Sequence, residues 1–290
     1  MAQVRAGGGS GREGYGGTKV AAEQLDTGSG AGSGVAGSGI AGSGVAGRGV
    51  IEAALALLEE ITRVGEAGLS ELARVTGLPK STVYRLLDQL VEEGAAERQG
   101  GRYRMGARMF RLSQAYAPAK VFRAAARQPL RELSAVAPGV NVNVSVPEQG
   151  RTVIVTGLRG EVDDVTRIDV GTVVWHGNTG DRFFAPRDLK AVEAACPESF
   201  SAGRWRRMVE EDRDRGVAFD YECELIPLVS CVSAPVYAPS GAVVGAVAAI
   251  MLDNQRLQPL ASAVRRAADM VGRNITAADI PDPAPRSWLG

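Results

Sequence analysis

Five residues in one short run, Lys80, Ser81, Thr82, Tyr84 and Arg85, carry the side chains that nucleic-acid contact requires. An ammonium meets phosphate, hydroxyls bond phosphates or base edges, and a guanidinium can grip guanine through two parallel hydrogen bonds. Downstream, Arg98, Arg102, Arg104 and Arg108 follow with no acid between the first and the last. Other chemistries are poorly served. His176 is the only histidine, which excludes zinc sites built from several imidazoles, and Cys196, Cys223 and Cys231 form no C-x-x-C pair. A serine triad would need His176 and a G-x-S-x-G elbow, whose nearest approximation, Gly32-Ser33-Gly34, sits in a repeat with no strand or helix around it. A hydrolase using Cys231 and His176 stays open as the alternative enzymatic reading.

The elements that must position the basic residues can be read from spacing. Val50, Ala54, Leu57, Leu58 and Ile61 fall on one face of a helix, which Gly65 and Gly68 end. Leu69, Leu72 and Ala73 predict a short second helix stopping at Gly77. A third starts at Pro79, carries Val83, Leu86, Leu87, Leu90 and Val91 on its apolar side, and ends at Gly94. Lys80 to Arg85 lie on the opposite side of its first two turns. From Ala95 to Met105 two short strands flank Gln99-Gly100-Gly101, a turn that needs positive φ and so uses glycine. Helix, helix, helix and basic hairpin in this order make a winged helix-turn-helix, and Arg102 and Arg104 on the hairpin are placed for the DNA backbone or minor groove.

Residues 1–48, with the repeats S-G-V-A-G, S-G-I-A-G and S-G-V-A-G, are expected to be a disordered tail, since so much glycine is costly to order. Residues 49–113 are assigned to DNA binding and 114–137 to a helical linker, read as helices over Met105–Ser113 and Val121–Ala137 that break at Pro118. Residues 138–276 form a second domain and 277–290 a Pro-rich tail. In the second domain Val140, Val142, Val144 and Val146 alternate with Asn141, Asn143 and Ser145, a strand with one polar face. Strand patterns continue over Arg151–Leu158 and Asp164–Val170. Helical segments follow near Arg187–Ala195 and Arg204–Arg215. The apolar strands Leu228–Tyr237 and Ala242–Leu252 are joined by a Pro239-Ser240-Gly241 turn, and a helix carries Leu257, Leu260, Ala261, Val264, Ala268 and Val271.

Thirty-three basic and 33 acidic residues cancel, so DNA affinity must come from local clustering, and an architectural DNA-coating protein is disfavoured. No apolar run approaches a membrane span, no signal peptide is apparent, and the few scattered cysteines suit a reducing cytoplasm.

These motifs reach a resemblance. L-x-E-L-A, T-G-L-P-K-S-T-V-Y-R-L-L-x-x-L, E-x-G and G-x-Y-R-M-G between Leu69 and Leu112 resemble the N-terminal domain of the isocitrate lyase regulator (IclR) family of bacterial transcription factors. R-G-V-A-F-D-Y-E from Arg215 and C-V-S-A-P-V-Y-A-P-S-G-A-V-V-G-A-V from Cys231 resemble its effector domain, for coverage from about Gly49 to Asn274. The resemblance implies an α+β chain: a winged helix-turn-helix joined by a helical linker to a GAF-like antiparallel sheet. It further implies a dimer or tetramer, a palindromic double-stranded operator and a small-molecule effector, with no cofactor and no metal. Motif matching implies an effector site of Trp175, His176, Thr179, Gly180, Asp220, Cys231, Ala248 and Ile250, with Asn178 and Asp220 as the polar contacts. Where relatives carry a smooth L-H-A-T-A-x-G-K-A run, this chain has W-H-G-N-T-G-D-R-F-F-A with bulky Phe183 and Phe184, and Ala248 and Ile250 replace hydroxyl residues. Both departures suggest a more apolar pocket and a larger or aromatic ligand. The expected function is a DNA-binding regulator, repressor or activator, whose second domain senses a metabolite.

Overall fold

A computed structural model describes residues 49–165, 168–221 and 228–275; the readings made for the glycine-rich head and the Pro-rich tail lie outside these residues. Helices α1 (Val50–Val64), α2 (Leu69–Thr76) and α3 (Lys80–Glu92) share a core of Leu57, Ile61, Leu72, Val83 and Leu87. Their apolar residues recur at helical spacing, so each buries one stripe against the other two. Two details differ from the periodic reading. Val50 is 62% exposed, and Ala53 takes the buried place. Between Gly65 and α2 the chain forms a three-residue strand β1 (Glu66–Gly68), which pairs with β3 (Arg102–Met105) and inserts the fully buried Ala67 opposite Tyr103. With β2 (Ala96–Gln99) the wing is therefore a three-stranded antiparallel sheet in the order β1-β3-β2. Gly100 and Gly101 turn the hairpin at φ +58° and +80°, a pair of angles that side-chain-bearing residues adopt only at a cost of about 1–2 kcal/mol each.

After α4 (Ala107–Ser113) the break falls at residues 114–116, and Pro118 lies in the first turn of α5 (Ala117–Val136), where a missing N–H is harmless. The helix read as a connector packs instead into the second core. Phe122, Ala126, Leu130 and Leu133 are buried against the sheet and against α9 (Leu257–Asn274). That sheet is antiparallel throughout, with β4 (Asn141–Glu148), β5 (Arg151–Leu158), β6 (Val173–Val174), β7 (Ala218–Asp220), β8 (Ser230–Tyr237) and β9 (Val243–Met251) in the order β6-β5-β4-β9-β8-β7. The strand expected over Asp164–Val170 is absent among its described residues. A 3-10 turn covers Glu161–Asp164, and pairing with β5 resumes only at Gly171–Val174, after a glycine at φ +93°.

Val142, Val144 and Val146 of β4 face α5 and α9. The alternate residues Asn141, Asn143 and Ser145 form the expected polar face, and all three are buried: the 3-10 turn bonds Asn141 through Asp163 and Val162, and the segment from Val173 through α6 (Asp181–Phe184) covers Asn143 and Ser145. Beyond it α7 (Leu189–Ala194) and α8 (Ala202–Arg215) pack around the buried Trp205.

Candidate functional site

On α3, Lys80, Ser81, Tyr84 and Arg85 are exposed and Thr82 half-buried, while Val83, Leu86 and Leu87 lie in the core. The helix opens at Pro79 without a side-chain cap, which leaves its first-turn amides facing outward beside Lys80 and Ser81. Among the described residues no acid pairs with Lys80 or Arg85.

The wing arginines behave differently. Arg102 bridges Glu66 at 2.9 Å, donates to its carbonyl oxygen and lies 3.7 Å from Glu71. Arg104 donates through two nitrogens to Glu97 at 3.0 and 2.8 Å, and Arg108 is bound to Glu93. Arg98 lies over the Tyr103 ring, its guanidinium carbon 5.7 Å from the centroid. The cluster that looked purely basic along the chain is thus largely neutralised by acids from β1, α2 and β2.

The second site is a cavity of about 160 Å³ on the covered face of the large sheet. Trp175, Asn178, Thr179, Gly180, Asp220, Cys231, Ala248 and Ile250 all line it. Two rows of the sheet form its floor: Asn143, Ala248 and Ser233 are direct cross-strand neighbours, as are Ile250, Cys231 and Asp220. Asn143, Ser145 and Ser233 were not expected here, since alternation alone cannot distinguish a polar face in water from one that faces a buried cavity.

The structure qualifies what several residues supply to this cavity. His176 does not line the cavity. Its Nδ1 lies 3.0 Å from the Asp181 carboxylate, which also accepts from the Gly177 amide at 2.7 Å and from Thr152. The Asp181 hydrogen bond holds the imidazole pKa above its ordinary value, against the opposing effect of burial. Asn178 lines the cavity and is also bonded within the loop: its amide nitrogen donates to the Trp175 carbonyl at 2.8 Å, and its oxygen accepts from Gly180 at 2.8 Å and Asp181 at 3.3 Å. Phe183 and Phe184 are buried outside the cavity wall, so they do not supply its apolar character. Cys231 Sγ lies 3.3 Å from the Thr179 hydroxyl. Among the described residues no hydrogen bond joins that sulfur to the imidazole, as a nucleophile and its base would require.

The loop bearing these residues is anchored from behind. Arg182 is buried and pairs with the equally buried Asp212 at 2.9 Å, while also donating to the Phe219 carbonyl on β7. Burial pushes the Asp212 carboxyl up, with the arginine opposing. Among the described residues no three acids, cysteines or histidines gather in a group able to hold a metal ion, and no helix is long and apolar enough to cross a membrane.

Residues 50–100, from α1 through the wing turn, match the family model for the IclR helix-turn-helix domain. Over 247 residues the chain is 29% identical to the glycerol operon regulatory protein of Streptomyces coelicolor, covering 78% of this chain and 96% of that relative. The chain thus carries an IclR-type helix-turn-helix domain and is similar along most of its length to a glycerol operon regulatory protein. Two solved IclR structures share its fold. One is an IclR homologue from Microbacterium hydrocarbonoxydans complexed with 4-hydroxybenzoate, with TM-score 0.62, 19% identity and coverage of 76% of this chain and 98% of that one. The other is an IclR transcriptional regulator from Alicyclobacillus acidocaldarius, with TM-score 0.62, 20% identity and coverage of 78% and 98%. On this similarity the chain is a DNA-binding transcriptional regulator, with an α+β fold of winged helix-turn-helix and antiparallel-sheet domain.

Proposed function

We propose that this regulator reads a palindromic operator as a cytoplasmic homo-oligomer and that a small molecule in the sheet cavity controls its hold on DNA. The observation that carries the DNA half is the set Lys80, Ser81, Tyr84 and Arg85, exposed at the start of α3 with the half-buried Thr82 among them and no side-chain cap. Arg85 specifies a base, Lys80 and the first-turn amides hold phosphate, and Arg98, Arg102 and Arg104 add backbone contacts on the wing. One such helix reads only about three or four bases, so useful specificity calls for two copies on two half-sites. Exposed apolar side chains on α1 (Val50, Ile51, Leu55) and on α4 (Phe110, Leu112) supply surface for a second copy to cover.

The cavity supports the effector half. It is apolar with a few converging polar groups, as ligand sites are. Its walls come from the loop before α6, from β7 and from the central hairpin, so a bound molecule tightens three elements against one another. That a relative of the same fold is complexed with 4-hydroxybenzoate supports a compact ligand here. Control requires only that the effector bind the DNA-competent and DNA-free states with different affinity.

A mobility-shift series on operator and scrambled DNA tests the first half. Arg85→Ala is expected to lose about 1–3 kcal/mol of discrimination at one position per half-site, and Lys80→Ala to weaken all sequences alike. No loss in either variant refutes the docking. For the second half, Trp175→Ala and Asp220→Ala should blunt ligand-driven release from operator, and an unchanged response in both would sink the cavity as the effector site.

A further inference from the structure

The polar groups of the cavity are unevenly matched. Ser233 is fully buried on β8, lines the cavity, and its hydroxyl has no hydrogen-bond partner. A buried hydroxyl without a partner keeps the cost of its lost hydration, a deficit that a bound molecule can cancel. Asn143 stands across Ala248 from it and Ser145 lies one step along β4, each 5% exposed and each facing the same space. Among the described lining residues there is no lysine, arginine or histidine, and the one charged side chain is the carboxylate of Asp220.

This set has a chemical consequence. Hydroxyl and amide groups both donate and accept, so their natural complement is a group that also does both, such as a ligand hydroxyl. A carboxylate or phosphate only accepts. It would enter a largely apolar space with no counter-charge among the described lining residues and with Asp220 of like sign nearby, losing hydration that nothing among these residues restores. Size narrows the class further: a dry cavity of about 150 Å³ is known to take benzene, and this one measures about 160 Å³. The flanks, from Ile154, Ile168, Val174, Trp175, Val229 and Ile250, are apolar.

Building on the effector reading, we propose that the cavity selects an uncharged, hydroxyl-bearing molecule with an apolar body of about one six-membered ring, and that it discriminates against anions of the same shape. Ser233, with Asn143 beside it, receives the hydroxyl. The aromatic or larger ligand suggested by Trp175 is thereby narrowed in size and in charge.

The test is calorimetry on the full chain with two matched pairs, benzyl alcohol against benzoate and cyclohexanemethanol against cyclohexanecarboxylate. Each alcohol should bind at least tenfold more tightly than its carboxylate. Ser233→Ala should weaken the alcohols about tenfold while leaving the ligand-free protein as stable as before or more so, because the hydroxyl it removes has no partner to lose. A carboxylate that binds as well as its alcohol overturns the charge selection but leaves the cavity an effector site. Binding by none of the four overturns the ring-sized ligand. The effector reading itself stands or falls separately, on operator release by Trp175→Ala and Asp220→Ala. An Ser233→Ala protein that is destabilised yet binds the alcohols normally overturns the role of the hydroxyl.

Discussion

Breaking the Arg182–Asp212 pair should be among the costliest single changes in the second domain, and replacing both partners among the least costly. Each side chain is about 6% exposed, and the two are joined at 2.9 Å. Arg182 also bonds the Phe219 carbonyl, and its Nε is buried without a partner. Removing Asp212 strands the buried Arg182 charge, and removing Arg182 leaves the buried Asp212 only the longer contact to Arg215 at 3.4 Å, so each change costs about 3–5 kcal/mol. An apolar pair of similar volume avoids desolvation altogether and is about neutral or stabilising. Arg182→Met and Asp212→Leu should therefore each lower stability by about 3–5 kcal/mol, and the double variant should recover most of the loss. With an m-value of about 2 kcal/mol/M in urea, each single change moves the midpoint down by roughly 1.5–2.5 M. Trp205, fully buried on the same helix as Asp212, is the reporter of this transition. Single variants within about 0.5 M of the parent, or a double variant as weak as the singles, would refute the claim that the pair is held by mutual neutralisation. The double variant should also show what the pair does beyond stability. Arg182 also ties α6, which follows the loop wall of the cavity, to β7 through the Phe219 carbonyl, so ligand affinity should fall even where stability is restored.

Three further outcomes follow from the structure. Glu66→Gln frees Arg102 from an exposed pair worth up to about 1 kcal/mol, so DNA affinity should rise up to about fivefold and the salt dependence should steepen; anisotropy across a salt series checks both, and no change would remove Arg102 from the interface. His176 has a raised pKa when folded, so its contribution is fully present below the unfolded value of about 6.5 and is lost as pH rises through the higher folded value. The melting-temperature gap between parent and His176→Gln should accordingly be wider at pH 5.5 than at pH 9, and a gap independent of pH contradicts the Asp181 pairing. Gly177→Ala would place a methyl 2.7 Å from Phe200 Cε2 at φ +96°, and should cost about 2 kcal/mol or more in a denaturation experiment, with weaker ligand binding because the same loop carries Asn178 and Thr179.

Most of the DNA-reading unit was legible along the chain because its determinants are local. Leu57 and Ile61, Leu72 and Ala73, and Val83 with Leu86 and Leu87 repeat at helical spacing, and Gly100-Gly101 specifies a tight turn wherever it occurs. β1 escaped notice for the opposite reason: Glu66-Ala67-Gly68 has no strand character until Tyr103 pairs with Ala67. The wing arginines look free in sequence because Glu66, the partner of Arg102, lies 36 residues away. His176 has the right chemistry for a pocket, yet Asp181, held also by Gly177 and Thr152, turns it to another use.

Sequence by itself determined that α3 presents Lys80 to Arg85 opposite an apolar stripe, since one helical period sorts those residues whatever surrounds them. It also determined that β4 alternates valines with Asn141, Asn143 and Ser145. Which environment that polar face meets was decided by tertiary structure alone. The segment from Val173 through α6 closes over Asn143 and Ser145, a small cavity lies against them, and the Ser233 hydroxyl beside them is buried without a partner. Charge follows the same division: composition sets the total at zero, and only the fold decides that the wing arginines are neutralised while Lys80 and Arg85 remain available to DNA.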